Sequence, residues 1–133
     1  MIFLETSHII NLTVPKLQNH EKAKKLHISI KNEPKAISEM VIYETMTVLR
    51  KLKQDDEKLK EVHELLTNSE DIIVFEDVIY YEQALKETFI NPVGFFDNLS
   101  RIVMLNNGIE KIASFDLDFD IFEDIERIGE KKI

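Results

Sequence analysis

Apolar and polar positions along the chain fall into blocks whose period changes. Ile2-Phe3-Leu4 is a short unbroken apolar run, the pattern of a buried strand. It closes at Glu5, and Thr6-Ser7 follow; a hydroxyl there can take up an orphan backbone N–H and start a helix. Residues 8–12 make a turn or two of helix before Pro15. Residues 16–30 carry Leu17, Ala23, Leu26 and Ile30 at helical intervals, and Pro34 ends that stretch. Lys35-Ala36-Ile37 is a second short strand.

Ser38 opens a helix over residues 39–53, with Val41, Thr45, Val48 and Leu52 on its inner face. Glu44 stands three positions after Val41 and four before Val48, so a carboxylate falls on that same face. Asp55-Asp56 cap a further helix to Thr67, with Leu59, Val62, Leu65 and Leu66 inside. Ile72-Ile73-Val74-Phe75 reads as a third strand, and a helix follows over residues 77–89. Asn91-Pro92-Val93-Gly94 resets the chain, and Asp97 sits in the first turn of the helix entered at Gly94. Asn106-Asn107-Gly108 turns the chain into a strand over residues 112–115, with Asp116 directly behind it. Ile125-Glu126-Arg127-Ile128 forms an edge strand, and residues 129–133 a loose tail. Strands alternating with helices predict an α/β fold with a mostly parallel central sheet flanked by helices. No repeat or linker interrupts the pattern, so residues 1–133 read as a single domain.

Charge adds a polarity to this outline. The net charge is −8, yet residues 1–60 carry 11 Lys/Arg against 8 Asp/Glu, while residues 61–133 carry 6 against 17. A uniformly basic nucleic-acid binder is excluded. An acidic second half can house a divalent cation, and the lysines and arginines of the first half can meet phosphate. The absence of cysteine excludes disulfides and thiolate metal sites. No apolar run approaches a membrane span, and the expected compartment is the cytoplasm.

Four carboxylates stand out by position. Glu5 ends the first strand, Glu44 faces inward, Asp97 opens a late helix, and Asp116 ends a late strand. A parallel sheet gathers strand ends and helix starts at one edge, where ligands of open α/β sheets bind. Grouped carboxylates raise one another's pKa unless a cation sits among them, and oxygen donors suit Mg²⁺ or Mn²⁺. Asp118 is a further possible ligand, while Asp120 reads as surface. Each acid also has a plainer reading: Glu44 can pair with a Lys or Arg, and Asp97 can favour a helix N-terminus or pair with Arg101. Phe95, Phe96, Phe115, Phe119 and Phe122 read most simply as core, and His8 as structural or exposed.

The segments MIFLETS, SEMVIYETMTVLRKL and FFDNLSRIVMLNNGIEKIASFDLDFDIF, in that order, resemble the PIN-domain family of metal-dependent ribonucleases, which includes the toxins of toxin–antitoxin modules. The resemblance spans nearly the whole chain. It implies a PIN-like fold and an endoribonuclease in which Glu5, Glu44, Asp97 and Asp116, with Asp118 beside them, hold Mg²⁺ or Mn²⁺. It implies 5′-phosphate and 3′-hydroxyl products, an RNA substrate gripped through groups such as Arg50, Lys51 and Lys53, an antitoxin protein partner, and a homodimer. The family's first acid is normally aspartate, and this chain has Glu5. The added methylene shifts an oxygen by about a bond length, where catalytic geometry is set to about half an ångström. The competing expectation is therefore a catalytically impaired PIN-like module that binds RNA or a protein partner. A phosphotransfer receiver-like domain fits less well, because it wants a strand-terminal Asp mid-chain and a lysine after a late strand.

Overall fold

The computed structural model describes residues 1–129; positions 130–133, most of the expected tail, lie outside the described residues. Among the described residues, five strands form one fully parallel sheet: β1 (Ile2–Leu4), β2 (Lys35–Ser38), β3 (Ile72–Phe75), β4 (Lys111–Ala113) and β5 (Glu126–Ile128), in the order β3-β2-β1-β4-β5. β1 lies at the centre and is buried at every position, which is why its apolar run does not alternate. Six helices connect the strands: α1 (Thr6–Thr13), α2 (His20–Ser29), α3 (Glu39–Lys51), α4 (Asp56–Asn68), α5 (Tyr81–Ile90) and α6 (Phe95–Asn106). No helix among the described residues is long and apolar enough to cross a membrane.

The strand order explains the position of the acids. The chain leaves β1 for β2 and β3 on one side, then returns to place β4 on the other. The carboxyl ends of β1 and β4 thus flank a switch point of the sheet, the place where such sheets open a crevice. Register fixes the detail. Leu4 pairs with Ala113, and the Glu5 N–H donates to the Ala113 carbonyl at 3.1 Å. Glu5 is thereby set directly against Ser114.

Several expected boundaries move for identifiable reasons. The helix expected over residues 16–30 begins only at His20. Val14 is extended ahead of Pro15, as a residue before proline tends to be, and tight turns at Leu17 and His20 intervene before the helix restarts. The helix expected from position 77 splits into a 3₁₀ turn, Val78–Tyr80, and α5. Asp77 does not cap its own helix. Its buried carboxylate accepts the Met40 N–H at 2.7 Å and so caps α3, while the hydroxyl of Ser38, the expected cap, is buried without a hydrogen-bond partner. β4 stops at Ala113, although the Ser114 N–H still reaches the Ile128 carbonyl at 3.1 Å. On α4, Val62 and Leu66 are buried as expected, but Leu65 is exposed.

Candidate metal centre

Glu5 turns the chain from β1 into α1. Its backbone is extended, and its carboxylate caps the helix by accepting the Ser7 N–H at 2.9 Å. Glu5 Oε1 accepts two hydroxyls, Ser7 Oγ and Ser114 Oγ, each at 2.6 Å. Each hydroxyl in turn accepts a backbone N–H: Phe115 onto Ser7 at 2.8 Å, and Asp116 onto Ser114 at 2.9 Å. The expectation that Thr6 or Ser7 caps α1 is thus corrected: Glu5 is the cap and Ser7 helps hold it. Burial pushes the Glu5 carboxyl above its ordinary range, the Ser114 and Ser7 donors oppose that, and the Glu44 charge adds to it.

Asp97 stands in the first turn of α6, which has no side-chain cap. The plain reading, a pair with Arg101, does not hold. Arg101 instead forks onto Asp124 at 3.0 and 2.5 Å, reaches Glu87 at 3.3 Å and lies over the Phe122 ring. The groups that act on Asp97 are carboxylates. Burial, then the charges of Asp116, Glu5 and Glu44, then a hydrogen bond shared with Asp116 push its carboxyl up to about 8. Glu44 is half-buried on the face of α3 that also buries Val41 and Thr45. Asp116 caps the 3₁₀ turn Leu117–Ile121, accepting the Asp118 N–H at 2.9 Å.

Glu5, Glu44, Asp97 and Asp116 line one cleft of about 330 Å³ together with Gly94, Phe95 and Phe96. Within this group the acids divide. Asp97, Asp116 and exposed Asp118 can each offer an oxygen within 4.8 Å of the other two. Glu5 and Glu44 stand outside that trio, while Asp118 is not on the cleft wall. The trio is the tighter chelating geometry; Glu5 and Glu44 line the same cleft, close enough for their charges to act on Asp97. Asp120 is engaged by Arg127 at 2.9 and 3.2 Å, as a surface reading requires. A larger groove of about 430 Å³ beside α4 contains only the exposed acids Glu61 and Glu64, both on one helix, and makes no comparable cluster.

Two site residues escape sequence reasoning. Ser114 is fully buried and holds Glu5; it stands in the Ser-Phe-Asp segment that carries the resemblance, but its hold on Glu5 follows from the register of β1 against β4. Phe96, expected in the core, is 50% exposed and lines the cleft. The basic residues Arg50 and Lys51 lie about 10 Å along α3 from Glu44, at the other end of the helix. Arg50 is paired there with Asp56 at 2.6 Å.

A set of oxygen donors without thiolate or imidazole suits a hard divalent ion. Repulsion among these acids is the condition such an ion relieves.

The model of the PIN domain family matches residues 2–125. A search of curated proteins finds no match. Among solved structures, the chain is similar to VapC20 of Mycobacterium tuberculosis, a sarcin–ricin-loop-cleaving toxin, with a TM-score of 0.85, 25% identity, and coverage of 98% of this chain and 100% of that one. It is also similar in fold to a chain of VapBC2 from Rickettsia felis bound to a promoter DNA fragment, with a TM-score of 0.71, 14% identity, and coverage of 98% and 100%. FitAcB from Neisseria gonorrhoeae has a TM-score of 0.67 at 19% identity, covering 96% of each chain. With a sheet of five parallel strands, acids gathered at its switch point and a family match across nearly its whole length, the chain belongs to the PIN domain family.

Proposed function

We propose that the chain is a Mg²⁺- or Mn²⁺-dependent endoribonuclease that hydrolyses RNA phosphodiester bonds, acting as the toxin of a toxin–antitoxin pair. The observation that carries this reading is the convergence of Glu5, Glu44, Asp97 and Asp116 on one cleft, with Asp97 pushed up to about 8 by burial and by its acidic neighbours. Asp97, Asp116 and Asp118 would hold the ion directly, and Glu44 and Glu5 would act from elsewhere in the same cleft. Such an ion, when bound, supplies the Lewis acidity that activates water and offsets charge on the phosphodiester. To admit it, Asp97 must first give up the proton that it shares with Asp116. Glu44, half-buried and lining the same cleft, would orient the attacking water. The likeness to VapC20, a sarcin–ricin-loop-cleaving toxin, supports RNA as substrate, and the likeness to VapBC2 and FitAcB supports an antitoxin protein as partner. A second copy of the chain would cover exposed apolar residues of the 3₁₀ turn before α5, Val78 and Ile79, and of its last turn, Phe89 and Ile90.

One observation favours a second reading, an impaired module that binds RNA or a protein partner. Glu5 Oε1 already accepts two hydroxyls, which leaves the first acid with little free capacity for an ion. A single experiment separates the two. Unstructured RNA is incubated with the purified chain and Mn²⁺, with and without EDTA, alongside Asp97→Asn and Glu5→Asp. Metal-dependent cutting that Asp97→Asn abolishes supports the nuclease. Cutting by Glu5→Asp alone supports the impaired module.

A further inference from the structure

Phe96 is an aromatic ring that packing does not use up. Its neighbour Phe95 packs against the core and meets Tyr81 edge-on at 5.7 Å, while Phe96 tilts against Phe95 at 5.9 Å and stays 50% exposed. It lines the acid cleft beside Gly94, where even an added Cβ would meet nothing within 4 Å. A half-exposed ring on the cleft wall thus directly precedes Asp97 in the first turn of α6.

The charges around the cleft make this ring informative. The walls carry four carboxylates, which repel a phosphate backbone. Arg101 is engaged by Asp124 and Glu87, and Arg127 by Asp120 and the Ser114 carbonyl. Arg50 and Lys51 stand at the far end of α3. No Lys or Arg is among the described residues lining the cleft, so counterion release, the usual source of nucleic-acid affinity, has no donor on its walls. Stacking of a base on an aromatic face is the other sequence-tolerant source, and it needs no positive charge.

We infer that Phe96 is a stacking platform for an unpaired base of the RNA, seating the nucleotide whose phosphate would meet a divalent ion held by Asp97 and Asp116. The inference rests on the nuclease reading above and narrows its substrate to single-stranded or looped RNA, whose bases can be splayed from their neighbours. Ring and acid are consecutive residues on one helix, so base and phosphate would be registered by a single rigid element. A base still stacked within a continuous duplex cannot reach the ring.

The test uses the whole chain with Mg²⁺ and a short oligoribonucleotide carrying 2-aminopurine, whose fluorescence is quenched on stacking, as a single strand and annealed to its complement. Phe96→Ala is expected to weaken single-strand binding about tenfold and to remove the added quenching, while Phe96→Trp keeps both. The duplex is expected to bind weakly to all three proteins. Thermal melting of each variant shows whether the fold is intact. Phe96→Ala that binds and quenches like the parent overturns the stacking role even where the parent cuts RNA. Quenching that depends on Phe96 in a chain that does not cut sustains the platform while the nuclease reading falls.

Discussion

Neutralising Asp97 should stabilise the ion-free fold, and increasingly so as pH rises. The Asp97 carboxyl goes from 3.8 in a free chain to about 8 in the fold. A carboxyl raised in this way holds its proton in the fold while the unfolded chain has released it. Stability is therefore full below the free-chain value and is lost as pH climbs through the folded one. Between pH 6.5 and 9 the linkage amounts to about 2 kcal/mol. Asp97 is partly open to solvent, so screening brings this to about 1 kcal/mol. For a chain of this length that is about 3–4 °C in melting temperature.

The assay is thermal melting in EDTA across that pH range for the parent chain and Asp97→Asn, which keeps shape and removes the charge. The gap in melting temperature between variant and parent should widen toward pH 9. Mg²⁺ should close it by raising the parent alone, since an ion at ten times its Kd adds about 1.4 kcal/mol. A gap that stays constant from pH 6.5 to 9, or equal stabilisation of both proteins by Mg²⁺, would refute the claim that Asp97 is held among unneutralised acids at an ion site.

Other consequences follow from the same geometry. Mn²⁺ affinity measured by calorimetry should rise from pH 6.5 to 8.5, because binding displaces the Asp97 proton; Asp116→Asn should weaken it by more than tenfold and Asp118→Asn by less, as Asp118 is exposed. Ser114→Ala removes a hydroxyl from Glu5 inside the fold and should cost about 1–3 kcal/mol in chemical denaturation, with Glu5→Gln in the same background recovering part of the loss. His8 is fully buried against His27 and Phe115, and burial first, then the charge of His27, pulls it down to about 3. The unfolded chain then takes up a proton below pH 6.5 that the fold refuses. Stability should fall by about 2 kcal/mol between pH 7.5 and 5, read in an Asp97→Asn background where the opposing carboxyl is silent, and His8→Phe should flatten that slope.

The parts of this molecule that were legible in the sequence are those where a local pattern is broken by a charge. Glu5 behind Ile2-Phe3-Leu4, Glu44 on an apolar helix face and Asp116 behind Ile112-Ala113 each interrupt a period that burial explains, and each reaches the cleft. The parallel order was legible too, because short apolar runs alternate with amphipathic helices. What stayed hidden depends on register between distant segments. Asp77 caps a helix that starts 38 residues earlier, and Ser114 grips a carboxylate 109 residues away; neither partner can be read from the residues beside it. Phe96 stayed hidden for another reason: periodicity marks a residue as apolar and cannot say whether the fold covers it.

The substitution of Glu for Asp at the first acidic position joins these two kinds of information. Sequence alone says that the longer side chain places its charge about a bond length away from the family's usual point. The structure shows where that length goes: Oε1 is drawn back between Ser7 and Ser114, and Oε2 is spent on the turn into α1. An aspartate at this position would be too short by one methylene to keep both hydroxyls in the same place. Glu5→Asp should therefore loosen the cradle and free carboxylate capacity toward Asp97 together. Melting temperature should fall while Mn²⁺ binding tightens, two readouts moving in opposite directions. If both fall, Glu5 is itself the better ligand, and its hydroxyl cradle serves the metal site rather than competing with it.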